Sequence, residues 1–274
     1  MKTTIKLLLL YVATQILATS IINFFVYSYF TLQNYISTGM FQITSPSETG
    51  NLYSIILTLL LSNIFFCWYL IHGQYVPTDK KTWSAYSRPV MLMIIPLTLS
   101  SMLWMNYAVE SLPLDDRLET LFNHMNSNIL GIVSISIVAP IMEEMLFRGA
   151  IEGSLLKAWK HPSYAIIVSA LIFGLIHGNP IQIPFAFVHG LILGWLFYKT
   201  GSLLPGILLH FINNSISTAL GIILPQSSQS MEMIFGKANS IILSISGLII
   251  TVISIYIINR LTQKSRIETE EIQK

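Results

Sequence analysis

The sequence predicts an all-α polytopic bundle of about eight transmembrane helices, and three observations carry that class. Hydrophobic residues make up 53% of the chain, charged residues only 10%, and the mean hydropathy is +0.65; an ordinary soluble domain is about one-quarter charged. Apolar stretches of the roughly 20 residues needed to cross a hydrocarbon core of about 30 Å recur along the chain. Lys and Arg also collect in alternate loops, as cytoplasmic positive charge does.

The spans are read at about 5–30, 52–72, 89–109, 128–149, 163–178, 181–198, 202–223 and 239–260. The first follows Lys2 and Lys6 as a signal peptide would. Its apolar region runs beyond the about 7–15 residues of a signal sequence and no convincing cleavage site follows, so it is expected to be a retained span. Spans five to seven are joined by Gly178-Asn179-Pro180 and Lys199-Thr200-Gly201, with Pro205 where a helix start tolerates it. They should form one compact antiparallel block. The chain divides into residues 1–127 with three spans, 128–223 with four spans and the candidate site, and 224–274 with the last span and a tail.

With the N-terminus inside, every Lys and Arg falls on the cytoplasmic side except Arg117 and Lys237, from Lys2, Lys80 and Lys81 through to Lys264, Arg266 and Lys274. The outer loop 110–127 is acidic, with Glu110, Asp115, Asp116 and Glu119. Both termini are predicted to be cytoplasmic. The formal charge of +2, without a basic run, argues against nucleic acid as a partner. A single cysteine, Cys67, excludes an internal disulfide and a cysteine-built zinc site.

Ionisable residues inside a bilayer are costly and therefore functional candidates. Glu143 and Glu144 lie within or at the edge of span four, and His177, His189 and His210 lie in spans five, six and seven. Glu144 and Arg148 are four residues apart, a helical spacing suited to an ion pair, and Arg148 is expected to be structural. Glu143 is rotated by about 100° from Glu144, so the two carboxylates can hold different roles. Folding spans four and five about Trp159-Lys160-His161-Pro162 brings Glu143 and His177 to similar depth. His210 and Asn214 share one face of span seven. Measured from the Lys157/Lys160 turn, the site is about 20 Å deep; measured from Arg148, it is shallow and cytosolic.

Two imidazoles, a carboxylate and an amide could activate a water and stabilise an oxyanion. They could also hold zinc through His177, His210 and Glu143 or Glu144. Each residue alone has a plainer reading as an ion pair or interhelical hydrogen bond, but their joint placement favours a site. His189 is assigned to packing or an interhelical hydrogen bond and left out of it. Pro140, one turn before Glu143, frees a backbone carbonyl and is read as a kink. Gly190 and Gly194 read as a helix-packing pair.

Glu143-Glu144-x-x-x-Arg148, Phe173-x-x-x-His177 and His210-x-x-x-Asn214, in this order on separate spans, closely resemble the three motifs of the CPBP family. That family groups type II CAAX prenyl proteases with bacterial bacteriocin-processing and bacteriocin-immunity membrane proteins, and the resemblance covers about 128–223. It implies an intramembrane endopeptidase in which Glu143 or Glu144, with His177, activates water, His210 and Asn214 stabilise the oxyanion, and Phe173 shapes the pocket wall. It leaves open zinc metalloprotease chemistry and a metal-free glutamate mechanism. The substrates implied are a peptide precursor, a prenylated CAAX-type protein or a membrane protein, cleaved in what is read as a bacterial cell membrane. The alternative is a non-catalytic immunity or regulatory protein that binds a peptide partner. A proton or solute pathway is a third reading, against which the absence of repeated halves argues.

Overall fold

The computed structural model describes residues 2–224 and 230–272, with side chains to residue 263. Of the cationic positions above, Lys264 and Arg266 are therefore described in backbone only, and Lys274 lies outside the described residues. The regular elements of the described chain are helices: α1 (Lys2–Thr38), α2 (Glu48–His72), α3 (Arg88–Glu110), α4 (Glu119–Asn126), α5 (Ile129–Ala158), α6 (Pro162–Ile176), α7 (Gln182–Thr200), α8 (Leu204–Ile223), α9 (Met231–Phe235) and α10 (Lys237–Ile272). Seven of these, α1, α2, α3, α5, α7, α8 and α10, are long and apolar enough to cross a membrane. The eighth apolar helix, α6, has 15 residues, about 22 Å at helical rise. Two boundaries beside the candidate site differ from the sequence reading. The fourth span continues past 149 to Ala158, and the fifth ends at Ile176, leaving His177 as the residue that caps it.

Local sequence explains where the helices start. Ser47 accepts the Gly50 N–H at 3.2 Å to open α2, and Asn128 accepts the Leu130 N–H at 2.9 Å to open α5, the preferred chemistry for an exposed helix N-terminus. Pro162 stands at the first position of α6, where its missing N–H costs nothing. The irregular element is α5, which is wound wide over Ser134–Val138 and again over Met145–Glu152. There the Ala139 N–H reaches back five residues to Ser134 O, and Gly153 reaches to Arg148 O. Such π-helical turns concentrate at functional positions, and these two flank Glu143 and Glu144.

α10 lies along α3, α7 along α6 and α1 along α2, while α8 packs against α3, α5 and α7. One buried cluster joins Phe66, Leu70, Met142, Leu146, Phe147 and Phe173. A second joins Val90, Ile94, Leu97, Leu193, Leu196, Leu209 and Ile258. Large apolar side chains such as Phe24, Phe25, Leu17 and Ile242 remain exposed, as a lipid-facing surface requires. In lipid the apolar effect does not drive helices together, so small and polar side chains join them. Gln15 bonds Asn63 at 3.2 Å and Ser62 at 2.9 Å between α1 and α2, and Ser100 meets Thr251 at 2.9 Å between α3 and α10.

Two loops fix the ends of the site-bearing helices. In the α2–α3 loop, Asp79 accepts the Thr82 hydroxyl at 2.8 Å and the Thr82 and Lys81 N–H groups, which hold its carboxyl below the ordinary range. Thr82 O then accepts the Leu203 N–H at 2.9 Å, anchoring the start of α8. At the opposite end buried Asn179, in the α6–α7 turn, donates to Asp116 at 2.8 Å and accepts the Arg117 N–H at 3.1 Å.

Candidate active site

Glu144 and Arg148 occupy one stripe of α5, and both are 1% exposed. Arg148 Nη1 donates to Glu144 Oε1 at 3.0 Å and Nη2 donates to Gly190 O on α7 at 3.2 Å. The guanidinium also lies 4.4 Å above the Phe173 ring. A buried ion pair persists when further partners offset its lost hydration; here a carbonyl and an aromatic face do so. Through Arg148 the pair pins α5 to α6 and α7. Arg148 thus pairs with Glu144 at the four-residue spacing.

The carboxylate has a second partner. His210 Nδ1 lies 3.2 Å from Glu144 Oε1, while Nε2 lies 3.6 Å from Glu143 Oε2. One imidazole nitrogen thus faces each acid, and the 3.6 Å approach of Nε2 to Glu143 is longer than a hydrogen bond. The neighbouring acids thus differ in setting. Glu144 is sealed in the bundle, whereas the Glu143 side chain keeps 21% exposure. Room for Glu144 is made by Gly206 on α8, where a Cβ would come within 2.8 Å of Oε2.

Phe173 is the hub of the aromatic wall. Its ring meets His177 edge-on at 4.9 Å, His210 at 5.8 Å and Phe147 at 5.0 Å. His177 Nδ1 is 2.7 Å from Phe173 O, so that nitrogen carries the hydrogen and Nε2 is the free one. Among the described residues no hydrogen bond joins Glu143 to His177; the imidazole beside Glu143 is His210. Asn214 stands one turn beyond His210 and donates Nδ2–H to Ile135 O on α5 at 3.0 Å, while its Oδ1 accepts from Asn213 at 3.1 Å. One hydrogen of the Asn214 amide remains for another acceptor.

Two residues at or beside the site, Glu152 and Asn213, went unread in the sequence. Glu152, one turn beyond Arg148, is wholly buried with neither oxygen hydrogen-bonded among the described residues. It lies on the part of α5 placed outside the membrane, although its spacing of four from Arg148 could have revealed it. Gly194 leaves it space, since a Cβ there would fall 2.5 Å from Glu152 Oε2, and Gly190 brings α7 against Ala170 of α6. Asn213 is buried, and its Oδ1 has no partner among the described residues. His189, left out of the site, stacks on Phe185 and lies 5.3 Å from the His210 ring, with neither nitrogen hydrogen-bonded among the described residues. It packs against the site and makes no interhelical hydrogen bond.

The zinc set of His177, His210 and Glu143 or Glu144 does not fit this arrangement. Both nitrogens of His210 face carboxylates, Glu144 is committed to Arg148, and His177 Nδ1 is bonded to backbone. Among the described residues no group of three or more His, Cys, Asp or Glu side chains is placed to hold a metal ion.

A bundle of this many long apolar helices defines a polytopic integral membrane protein, and it seats paired glutamates, imidazoles and an amide on adjoining helices. Residues 125–216 match the model of the family described as type II CAAX prenyl endopeptidase Rce1-like. Through this block the chain is similar to the CPBP family of intramembrane proteases. It is 29% identical over 112 residues to a Bacillus subtilis protein named "Putative membrane peptidase YdiL", covering 39% of this chain and 46% of that protein. It is 32% identical over 98 residues to "Membrane-embedded CAAX protease MroQ" of Staphylococcus aureus, covering 34% and 40% respectively. The matched segment thus spans less than half the length of either relative. No solved structure matches the chain.

Proposed function

We propose that the chain is an intramembrane endopeptidase of the bacterial cell membrane that hydrolyses peptide bonds with a glutamate-activated water. The observation that carries this reading is the His210 imidazole held between Glu143 and Glu144, with Arg148 fixing the second carboxylate. Glu143 is the base, because it alone of the two acids keeps exposure. It takes a proton from water, with His177 Nε2 as the second acceptor lining the pocket, as the hydroxyl oxygen bonds to the scissile carbonyl carbon. The resulting oxyanion is met by His210 and by the free Asn214 N–H, donors set in a site walled by Phe173 and poor in water. Glu143 returns the proton to the amide nitrogen as the C–N bond breaks. No step is routed through a metal.

The substrate class is a peptide precursor, a CAAX-type protein or a membrane protein segment, and both termini of the enzyme face the cytoplasm. The test uses purified full-length protein in liposomes, offered a farnesylated CAAX peptide and a panel of quenched-fluorescence peptides. Cleavage that falls at least about 100-fold in Glu143→Ala and His177→Ala, as loss of either proton acceptor demands, supports the reading. Wild-type rates in those variants, or bound but intact peptides, would replace it with a non-catalytic immunity or regulatory role. Metal content of the same preparation, with chelator sensitivity, distinguishes glutamate from zinc chemistry.

A further inference from the structure

Pro140 offers more than a kink. In the wide turn that precedes it, the Ala139 N–H passes over Ile135 O and bonds Ser134 O. The next residue that could reach Ile135 O at the same five-residue step is Pro140, which has no N–H. The Ile135 carbonyl is thus left without either intrahelical donor, inside a bundle where an unsatisfied carbonyl is costly. Asn214 Nδ2 donates to that carbonyl at 3.0 Å. One turn further along the same α5–α8 seam, Ser136 and Thr218 hydroxyls meet at 3.2 Å.

We infer that Pro140 is a positioning residue for Asn214: by withholding an N–H it keeps the Ile135 carbonyl open, and that carbonyl fixes the Asn214 amide with its second N–H free. An asparagine on a lone helix face has many rotamers. Here one hydrogen is bonded to α5 and the amide oxygen is bonded to Asn213, so the plane of the amide is set from both ends. The same helix places Pro140 one turn before Glu143 and Glu144, so base and oxyanion donor are indexed to one stretch of backbone. This inference rests on the peptidase reading for what the aimed N–H does, but the hydrogen-bond coupling itself does not.

A double-mutant cycle in the full-length protein in liposomes tests it, using Pro140→Ala, Asn214→Ala, the double variant, and Pro96→Ala on α3 as a control for proline removal from a membrane helix. The readouts are kcat and KM on a peptide cleaved by the wild type, and Tm for each variant. Asn214→Ala is expected to lower kcat about 100-fold, the loss typical of one oxyanion donor. Pro140→Ala restores the donor to α5 and should lower kcat about tenfold at unchanged KM. The double variant should be no slower than Asn214→Ala alone, and Pro96→Ala should match the wild type. In Tm, Asn214→Ala should cost less in the Pro140→Ala background than in the wild type, because its acceptor is already satisfied.

Additive Tm shifts, or a Pro140→Ala enzyme with wild-type kcat, would overturn the inference. If the wild type cleaves none of the peptides, the peptidase reading fails separately, and the Tm cycle alone decides whether Pro140 holds Asn214.

Discussion

Glu143 and Glu144 share a chemistry and differ in what surrounds them, so their substitutions should fail differently. Glu143→Gln removes a partly exposed base, and cleavage should fall at least about 100-fold with little change in Tm, measured by thermal scanning of the purified protein. Glu144→Gln strands Arg148 as an unpaired buried cation, which in soluble proteins costs about 3–5 kcal/mol. That variant should therefore lose Tm as well as activity. A Glu144→Gln protein as stable as the wild type would show that Gly190 O and Phe173 suffice for the guanidinium. The ion pair was legible because four residues is one helical turn. The partition of His210 between both acids was not, because it depends on the rotation of α8 about its own axis, which spacing along one chain segment does not specify.

At the level of elements, α5 carries most of what the sequence concealed. Its start, its acids and its proline are visible, but its length is not, since Glu152 beyond Arg148 suggests an end to the apolar stretch. The helix continues because Glu152 is covered by α7 at Gly194. Close approach also makes a prediction for α8. Gly206→Ala would force a methyl against the Glu144 carboxylate, with a cost of about 1–3 kcal/mol for overpacking and a displaced His210. Thermal scans and cleavage rates should both fall, and a Gly206→Ala variant with wild-type values in each would place Glu144 elsewhere. Hairpin geometry brought α5 and α6 together correctly as neighbours, but the end of α6 at Ile176 makes His177 a capping residue with its ring tied to Phe173 O. Glu143 meets the imidazole from α8 instead.

The whole molecule was the most legible level, because hydropathy and helix length need no tertiary information. Seven long helices and one short apolar one answer to the eight expected spans. Orientation is a separate matter, resting on where Lys and Arg collect. With Cys67 replaced by Ala, cysteines introduced at Lys80 and Arg117 should react oppositely with a membrane-impermeant maleimide. The Arg117 position should label in intact cells and the Lys80 position only after permeabilisation; the reverse pattern would invert the bundle. What no level of the sequence reveals is hydrolysis itself. The direct measurement is digestion of a mixed peptide pool by the reconstituted protein in water enriched in oxygen-18, read by mass spectrometry. The wild type should create new C-termini carrying the heavy oxygen, and Glu143→Gln should create almost none. Equal labelling by both proteins, or labelling by neither, would contradict a peptidase whose base is Glu143.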